Sequence, residues 1–393
     1  LTNNQRLIYS LGLRKVKPYY FEYKSFAKGR WFDRTILDVF SSEFRDRSEV
    51  YYRYAIEKGL LTINDKQVTI DTIVKNGDVI GHKIHRHEPP VSDQPINIVY
   101  EDDDLYVIDK PGGIPVHPAG RYRHNSIVQI LRKEYNIPKL FPANRLDLPT
   151  SGLMLIAKNS SKAKKLEREM SAGLIRKEYV CRVEGEFPDG EIVCDAPIKC
   201  ISHKMSVNYV HADGKPSVTK FEKLSYNGKT SVVRCKPLTG RTHQIRVHLR
   251  YLGYPISNDP LYGNSTTWAP WIRPGERMKD EDAKMLVDKL FEYSPMEDWS
   301  EPTEPIATPI PGVKEDELDN RCKECSASLI LGKNYDQLCI FLHAWKYSAN
   351  GWQYETELPF WAKEDFDDEK DTPAKFKNAF CEKKNSTIPV TDE

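Results

Sequence analysis

The spacing of apolar residues predicts a small helical unit near the start of the chain. Two helical faces recur, one formed by Ile36, Leu37, Phe40 and Phe44 and the other by Val50, Tyr54 and Ile56. Gly59 ends the second helix, and apolar runs at 61–63 and 68–70 around Asn64 and Asp65 indicate a hairpin. Residues 31–90 are therefore predicted to form two helices and a small hairpin, preceded by an aromatic and basic arm at residues 1–30.

From residue 96 onward the pattern is that of short strands. Apolar or alternating runs occur at 98–100, 105–108, 179–183, 218–221, 231–235, 244–249 and 338–345. One helix is predicted after Ser160 or Ser161, because Ala163, Leu166 and Met170 recur on one face. The short connections favour antiparallel pairing, so the predicted fold class is α+β, with a mixed, mainly antiparallel sheet in a domain spanning 96–362.

Three stretches depart from these patterns. Residues 85–90 are predicted to link the small unit to the larger domain. Residues 264–335 are rich in proline and charge, which predicts an insertion within the larger domain. Residues 363–393 are charged and poor in apolar side chains, which predicts a peripheral C-terminal tail.

The composition is typical of a globular protein without a membrane span. The 393 residues are 39% hydrophobic and 29% charged, and no run approaches about 18 continuous apolar residues. The eight cysteines are widely spread, which favours a reduced intracellular compartment. The cytoplasm is expected, with mitochondrion and nucleus as alternatives, and the chain is expected to be a monomer.

The net charge of +1 hides a local asymmetry. Basic residues crowd 162–168 and 241–250, whereas acidic residues concentrate at 364–369. Because local patches govern phosphate binding, the small total charge does not exclude a nucleic-acid partner.

Residues 144–159 carry the clearest candidate chemistry. Asp147 lies in a loop that Pro149 stiffens and Gly152 opens, immediately before a strand-like apolar run at 153–157. A carboxylate held against a core strand is costly unless it has a partner or a function. Taken alone, a loop aspartate is more often a turn or helix cap, so the interpretation depends on its partners.

Two further stretches supply candidate partners. Tyr179 shares a strand face with Cys181 and Val183, so its ring is predicted to point inward. In the run 238–249, Arg241 is placed at the rim of an apolar strand face. A partly buried guanidinium there needs a carboxylate, and Asp147 is the candidate.

In these stretches the chain resembles the RluA-like family of pseudouridine synthases. Residues 144–158 match the family's catalytic motif, 177–179 the motif of the active-site tyrosine and 240–246 the motif of the basic partner. Residues 101–118 match the opening motif and 342–344 the closing strand. Asn144 stands where many bacterial members have histidine, and the 264–335 insertion also departs from their compact pattern.

The resemblance implies specific roles for three residues. Asp147 would be the essential carboxylate, Tyr179 would stack on the uracil and assist proton removal from its C5, and Arg241 would hold and orient Asp147. It also implies that neither a metal nor a cofactor takes part, since the reaction is an isomerisation without redox change.

The small unit resembles the S4 RNA-binding fold. That resemblance would place Arg45, Arg47, Arg53 and Lys58 on the RNA side, while a solvated charged face is the alternative. In the larger domain the RNA-binding candidates are Lys110, His117, Arg145 and Arg246. Arg145, beside the aspartate loop, is expected to fill the space left by a flipped base.

The aromatic, basic start of the chain at 13–20, together with the Arg30-Trp31 region and the Cys322/Cys325 segment, resembles the eukaryotic branch of the family, which includes tRNA enzymes that act on the anticodon loop. The implied function is an RNA pseudouridine synthase, an isomerase, with tRNA as the preferred partner and rRNA or mRNA as alternatives. A non-catalytic RNA-binding or chaperone protein is the second hypothesis. A glycoside hydrolase is the third, and it would need Asp109 or Glu178 as a second acid near Asp147.

One metal hypothesis stands beside these. Cys322 and Cys325, with Cys339 and His343, have spacing compatible with a structural zinc. The preferred interpretation has no metal, because Cys339 and His343 fall within a predicted strand.

Overall fold

The structure, a computed structural model, describes residues 7–10, 12–44, 49–202, 207–263, 268, 274–283, 285–286 and 338–367. Its described residues fall into two compact units. The smaller unit includes 15–90, and the larger includes 9–14, 91–286 and 338–367. Four residues with predicted roles, Arg45, Arg47, Cys322 and Cys325, lie outside the described residues, as do most of the insertion and of the tail.

The strands are β1 (Leu7–Ser10), β2 (Leu13–Val16), β3 (Tyr19–Phe26), β4 (Leu61–Ile63), β5 (Lys66–Gln67), β6 (Val79–Arg86), β7 (Val91–Ser92), β8 (Asn97–Glu101), β9 (Leu105–Lys110), β10 (Phe141–Pro142), β11 (Ser151–Ala157), β12 (Arg176–Glu184), β13 (Glu191–Asp195), β14 (Ile198–Ser202), β15 (Val207–Val210), β16 (Val218–Tyr226), β17 (Thr230–Pro237), β18 (Leu342–Ala349) and β19 (Trp352–Glu355). The α-helices are α1 (Ile36–Val39), α2 (Glu49–Glu57), α3 (Ile127–Glu134), α4 (Ser160–Ser171) and α5 (Gln244–Leu252). Short 3-10 segments occur at Gly29–Trp31 and Phe360–Ala362, and a π-helical segment at Phe40–Phe44 follows α1.

The smaller unit is a four-stranded sheet in the order β3-β6-β4-β5, packed with α1 and α2. The helix predicted around Val50 is present as α2, and the hairpin is present, although its second strand is 66–67 instead of 68–70. The predicted arm and linker are both wrong in part. Residues 19–26 of the predicted arm form β3, which pairs with β6 along its whole length, and β6 runs through Arg86 into the predicted linker. Both segments carry the aromatic and β-branched residues that fit a sheet.

The larger unit is built on a ten-stranded sheet. Eight strands follow the order β13-β16-β17-β12-β18-β11-β9-β8, while β10 pairs with β11 and β19 with β18. Among the described strands of this sheet, β11 with β18 is the one parallel pair. The predicted mixed, mainly antiparallel sheet is therefore confirmed. Two apolar clusters form the core, and Tyr179 packs against both.

One predicted strand is a helix. Residues 244–249 form the first part of α5, and all six of these residues are buried. The alternating residues Ile245, Val247 and Leu249 suggested a strand, but both the apolar and the polar residues of this run are buried, so alternation there does not mark an exposed face. Gly253, with a φ of 91°, ends the helix in a left-handed cap.

Two boundaries also differ from their predictions. Strand β18 begins at Leu342, four residues after the predicted start at 338. Helix α4 is capped by Asn159 instead of by either serine, because the Asn159 side chain accepts the backbone N–H of Lys162.

Candidate active site

Asp147 lies in a tight loop between β10 and β11. The backbone N–H of Thr150 donates to the Asp147 carbonyl at 3.1 Å and closes the turn. Gly152 follows with a φ of 109°, and its Cα faces the backbone of β18. A Cβ on Gly152 would lie 2.3 Å from the carbonyl oxygen of Ala344, so only glycine lets the two strands approach this closely.

The cationic partner of Asp147 is Arg246. Its Nη1 lies 3.3 Å from Asp147 Oδ2, while Nε and Nη2 donate to both oxygens of Asp259 at 2.6 and 2.9 Å. Asp259 also accepts the backbone N–H groups of Leu261 and Tyr262, and the Tyr262 ring lies 4.9 Å from the guanidinium carbon. Burial opposes the charge of Arg246, but Asp259 and Asp147 raise its pKa well above the usual value. The guanidinium is thus a fixed cation aimed at one oxygen of Asp147.

The predicted pairing of Asp147 with Arg241 is wrong. Arg241 is exposed, and its Nε donates to the carbonyl of Pro216 at 3.2 Å. The error follows from the helix, since Arg246 lies in the first turn of α5 with its guanidinium facing Asp147, whereas Arg241 precedes the helix. Arg246 had been predicted as an RNA-binding residue, but its side chain is only 4% exposed.

Tyr179 on β12 lies beside this pair. Its hydroxyl is 3.0 Å from the hydroxyl of Tyr347 on β18, which accepts the Asn144 side-chain N–H at 3.3 Å. Asn144 Oδ1 in turn accepts the backbone N–H of Leu155. Burial, together with the charge of Asp147, raises the pKa of Tyr179 to about 12, so the phenol is neutral near pH 7. Asn144 therefore connects the aspartate loop to the two tyrosines.

His243 faces Asp147 from the start of α5. Its Nε2 lies 3.6 Å from Asp147 Oδ2, and its Nδ1 lies 3.0 Å from the Tyr262 hydroxyl. Burial, followed by the charge of Arg246, lowers the pKa of His243 to about 4. Both polar neighbours of the Asp147 side chain thus approach Oδ2, and Oδ1 accepts no hydrogen bond from the described residues.

Lys110 supports the loop from inside the protein. The side chain is fully buried, and its ammonium donates to the carbonyls of Pro111, Ile114 and Leu148 at 2.9, 2.9 and 3.2 Å. Burial lowers the pKa of Lys110 to about 7, against the charges of its neighbours. The prediction that Lys110 binds RNA is wrong, because its three donors are occupied by carbonyls that include one in the Asp147 loop.

The remaining predicted RNA-binding residues are at or near the surface. Arg145 is exposed in the Asp147 loop, and its charge, after burial, contributes to lowering the pKa of the half-buried His117. In the smaller unit, Arg53 pairs with Glu49 at 2.7 Å and Lys58 lies over the ring of Tyr54. Arg145 and His117 are therefore neighbours at the edge of the candidate site.

The contacts of His343 do not support the zinc hypothesis. His343 uses both ring nitrogens, one facing the Ser151 hydroxyl at 2.8 Å and the other the Thr356 hydroxyl at 2.6 Å. Within the described residues one group has metal-ligand spacing, formed by His211, Asp213 and Asp280. Lys199 already supplies a cation there, 2.7 Å from Asp280.

The structure thus places Asp147, Arg246, Tyr179 and His243 together. Comparison with known proteins gives the class. A family model described as RNA pseudouridylate synthase matches residues 104–251. A yeast protein named tRNA pseudouridine(32) synthase, mitochondrial (Saccharomyces cerevisiae), is 42% identical over 89% of this chain and 77% of its own length. The mouse pseudouridylate synthase RPUSD2 (Mus musculus) is 40% identical over 91% of this chain and 73% of its own. A rice protein named RNA pseudouridine synthase 7 (Oryza sativa) is 38% identical over 91% of this chain and 92% of its own.

The chain therefore belongs to the RNA pseudouridylate synthase family, as its RluA-like motifs predicted. It is an RNA-modifying isomerase, and the site described above lies largely within the matched segment. No helix among the described residues is long and apolar enough to cross a membrane.

Proposed function

We propose that this enzyme converts a uridine of tRNA, in the anticodon loop, to pseudouridine, with Asp147 as the essential carboxylate. The observation that carries the proposal is the ion pair between Asp147 and the buried Arg246, beside Tyr179. The tRNA substrate is supported by the names of two yeast relatives, the pseudouridine(32) enzyme and a tRNA pseudouridine(31) synthase that is 35% identical over 90% of this chain.

The chemistry suits a single carboxylate. The isomerisation breaks the bond between ribose C1′ and uracil N1 and joins C1′ to C5. One proton leaves C5 and one is added to N1, so no electrons are gained or lost. An ionised carboxylate can stabilise positive charge on the ribose, attack C1′, or remove a sugar proton. In each case Arg246 neutralises the Oδ2 side and leaves Oδ1 for the nucleoside.

Tyr179 supplies a flat, neutral ring next to the carboxylate. Because its pKa is about 12, it serves as a stacking surface and hydrogen-bonding group for uracil, and not as a preformed phenolate base. The uridine must leave its stack to reach this site. Arg145, exposed beside Asp147, is the residue proposed to fill the vacated position.

The smaller unit is proposed to be an S4-like RNA-binding domain. Its described surface offers Arg53 and Lys58, which would contact phosphates as part of a larger basic surface. We further propose that the enzyme acts as a monomer inside the cell, in the cytoplasm or in mitochondria. The name of one yeast relative refers to mitochondria, which supports the second location.

The experiment is an RNA panel. Purified protein is incubated with tRNA transcripts, rRNA fragments and mRNA hairpins, and pseudouridine is mapped by carbodiimide-dependent reverse-transcription stops. We expect product at one anticodon-loop uridine of tRNA and none with Asp147→Asn. Product only in rRNA or mRNA would contradict the tRNA assignment. RNA binding without product on any RNA would favour a non-catalytic RNA-binding protein.

A further inference from the structure

His243 holds an unusual backbone conformation at the edge of the active site. Its φ of 57° and ψ of 20° lie in the left-handed region, which non-glycine residues rarely adopt. Two hydrogen bonds hold the chain around it, from Gln244 N to the Arg241 carbonyl and from Val247 N to the His243 carbonyl, at 3.1 and 2.9 Å. Such strain at a functional site indicates that the direction of a side chain is being fixed.

The His243 ring lies between a phenol and the carboxylate. It meets the Tyr262 ring edge-on, with centroids 5.6 Å apart and an interplanar angle of 82°. Nδ1 is 3.0 Å from the Tyr262 hydroxyl, and Nε2 is 3.6 Å from Asp147 Oδ2. A movement of a few tenths of an ångström would bring Nε2 and Oδ2 within ordinary hydrogen-bond distance.

The surroundings of Tyr262 decide which ring nitrogen carries the proton. The Tyr262 hydroxyl is buried, and it already accepts the backbone N–H of Asn208 at 3.1 Å. Among the described residues, His243 Nδ1 is the acceptor within reach of the phenol proton, which would otherwise be buried without a partner. Nδ1 therefore accepts, and the proton of a neutral ring sits on Nε2, facing Asp147.

We propose that His243 is a positioning residue, whose neutral Nε2–H tautomer holds Asp147 Oδ2 beside Arg246 and leaves Oδ1 directed to the nucleoside. This inference rests on the proposed function of Asp147. This positioning role fits the observation that Arg246 and His243 both approach Asp147 at Oδ2. The charges facing the ring are Arg246, Asp147 and Asp259, and burial with Arg246 outweighs the two carboxylates, so the ring is neutral at pH 7.

Two substitutions separate this role from a structural one. His243→Asn suits a left-handed backbone but its amide is too short to reach Asp147, whereas His243→Gln has the reach but suits that backbone less well. If the N–H donor matters, His243→Gln should keep the single-turnover rate within about 10-fold while His243→Asn loses about 100-fold, with the Kd for RNA unchanged in both. His211→Gln, a histidine replacement away from Asp147, should retain the wild-type rate.

The tautomer is measured separately, so that its outcome does not depend on catalysis. In the 393-residue chain labelled with ¹⁵N-histidine, long-range ¹H–¹⁵N spectra should show His243 as the neutral Nε2–H form at pH 7, and Tyr262→Phe should abolish that preference. An Nδ1–H form or an imidazolium at pH 7 would overturn the proposal, as would a His243→Asn enzyme as fast as His243→Gln. Full activity in Asp147→Asn would instead overturn the proposed function, whatever the tautomer.

Discussion

At the scale of single residues, the site depends on how Arg246 is held. Both oxygens of Asp259 accept hydrogen bonds from the guanidinium, and two backbone N–H groups hold Asp259 in place. The third nitrogen, Nη1, therefore faces Asp147 in one geometry. A planar guanidinium can donate in parallel from two nitrogens to one carboxylate and from the third to another, a geometry that the single nitrogen of an ammonium cannot reproduce. The specificity of the pair therefore resides in the shape of arginine as much as in its charge.

The structure predicts a sharp contrast between two arginines in one motif. Arg246→Lys keeps the charge but loses the bidentate contact with Asp259, so we expect the single-turnover rate to fall by about 100-fold or more. Arg241→Lys, at an exposed position, should change that rate by less than about 3-fold at saturating RNA. The rates of both purified variants on the same tRNA test the assignment. Equal losses of rate in the two variants would indicate that Arg241 also acts in the active site.

The position of Asp147 in a loop before a core strand, and of Tyr179 on an inward-facing strand position, could be predicted from the sequence because each lies in a short stretch with a clear local pattern. The basic partner could not, because the choice between Arg241 and Arg246 depends on whether 244–249 is a strand or a helix, and both periods fit the apolar residues. Tyr347 and Asp259 were missed for another reason. They meet Tyr179 and Arg246 only through tertiary structure, and neither residue stands in a motif that signals its role.

At the scale of elements, the site depends on a close approach between β11 and β18. The β11–β18 pairing brings Gly152 against the backbone of Ala344 immediately after the Asp147 loop. This contact sets where the loop ends and β11 begins. Glycine is needed there for two reasons, namely its φ of 109° and the absence of space for a Cβ.

Gly152→Ala should therefore damage both fold and activity. We expect a loss of roughly 2 to 5 kcal/mol in the free energy of unfolding, from backbone strain combined with overpacking. Gly173→Ala is the matched control, because Gly173 also has a positive φ but a Cβ there would meet no atom within 4 Å. Its expected cost is about 1 kcal/mol. Urea unfolding of both variants measures the difference, and equal costs would show that the close approach at Gly152 is not rigid.

At the scale of the whole molecule, the sheet gathers residues that are distant in the chain. Strands β11, β12 and β18 are neighbours, so residues near positions 147, 179 and 347 meet, and α5 adds Arg246. The strand-rich character and the mainly antiparallel pairing could be predicted from short alternating runs. Strand order could not, because it is set by which apolar faces pack together across long sequence separations, as with β18.

Burial of several histidines predicts how stability depends on pH. His243, His248 and His343 each have a pKa lowered to about 4, chiefly by burial. Between pH 6.5 and about 4 the unfolded chain binds protons at these residues and the folded chain does not, so stability is lost as the pH falls through this window. For one histidine the difference corresponds to an upper bound of about 3 kcal/mol.

The measurement is urea unfolding at a series of pH values. Relative to the wild type, His343→Gln should show a smaller loss of unfolding free energy between pH 6.5 and 4, even if it is less stable throughout. An unchanged pH dependence in His343→Gln would contradict a neutral, buried His343.

The contribution of the Asp147 carboxylate is measured most directly by the single-turnover rate of Asp147→Asn on a tRNA that the wild type modifies. Glu178→Gln is the matched control, since it neutralises a carboxylate next to Tyr179 that pairs with Arg234 at 3.8 Å. We expect Asp147→Asn to lose at least about 1,000-fold in rate while its Kd for RNA and its Tm stay close to those of the wild type. Glu178→Gln should keep most of its activity. An Asp147→Asn enzyme that retains a tenth or more of the wild-type rate would contradict the central role of Asp147.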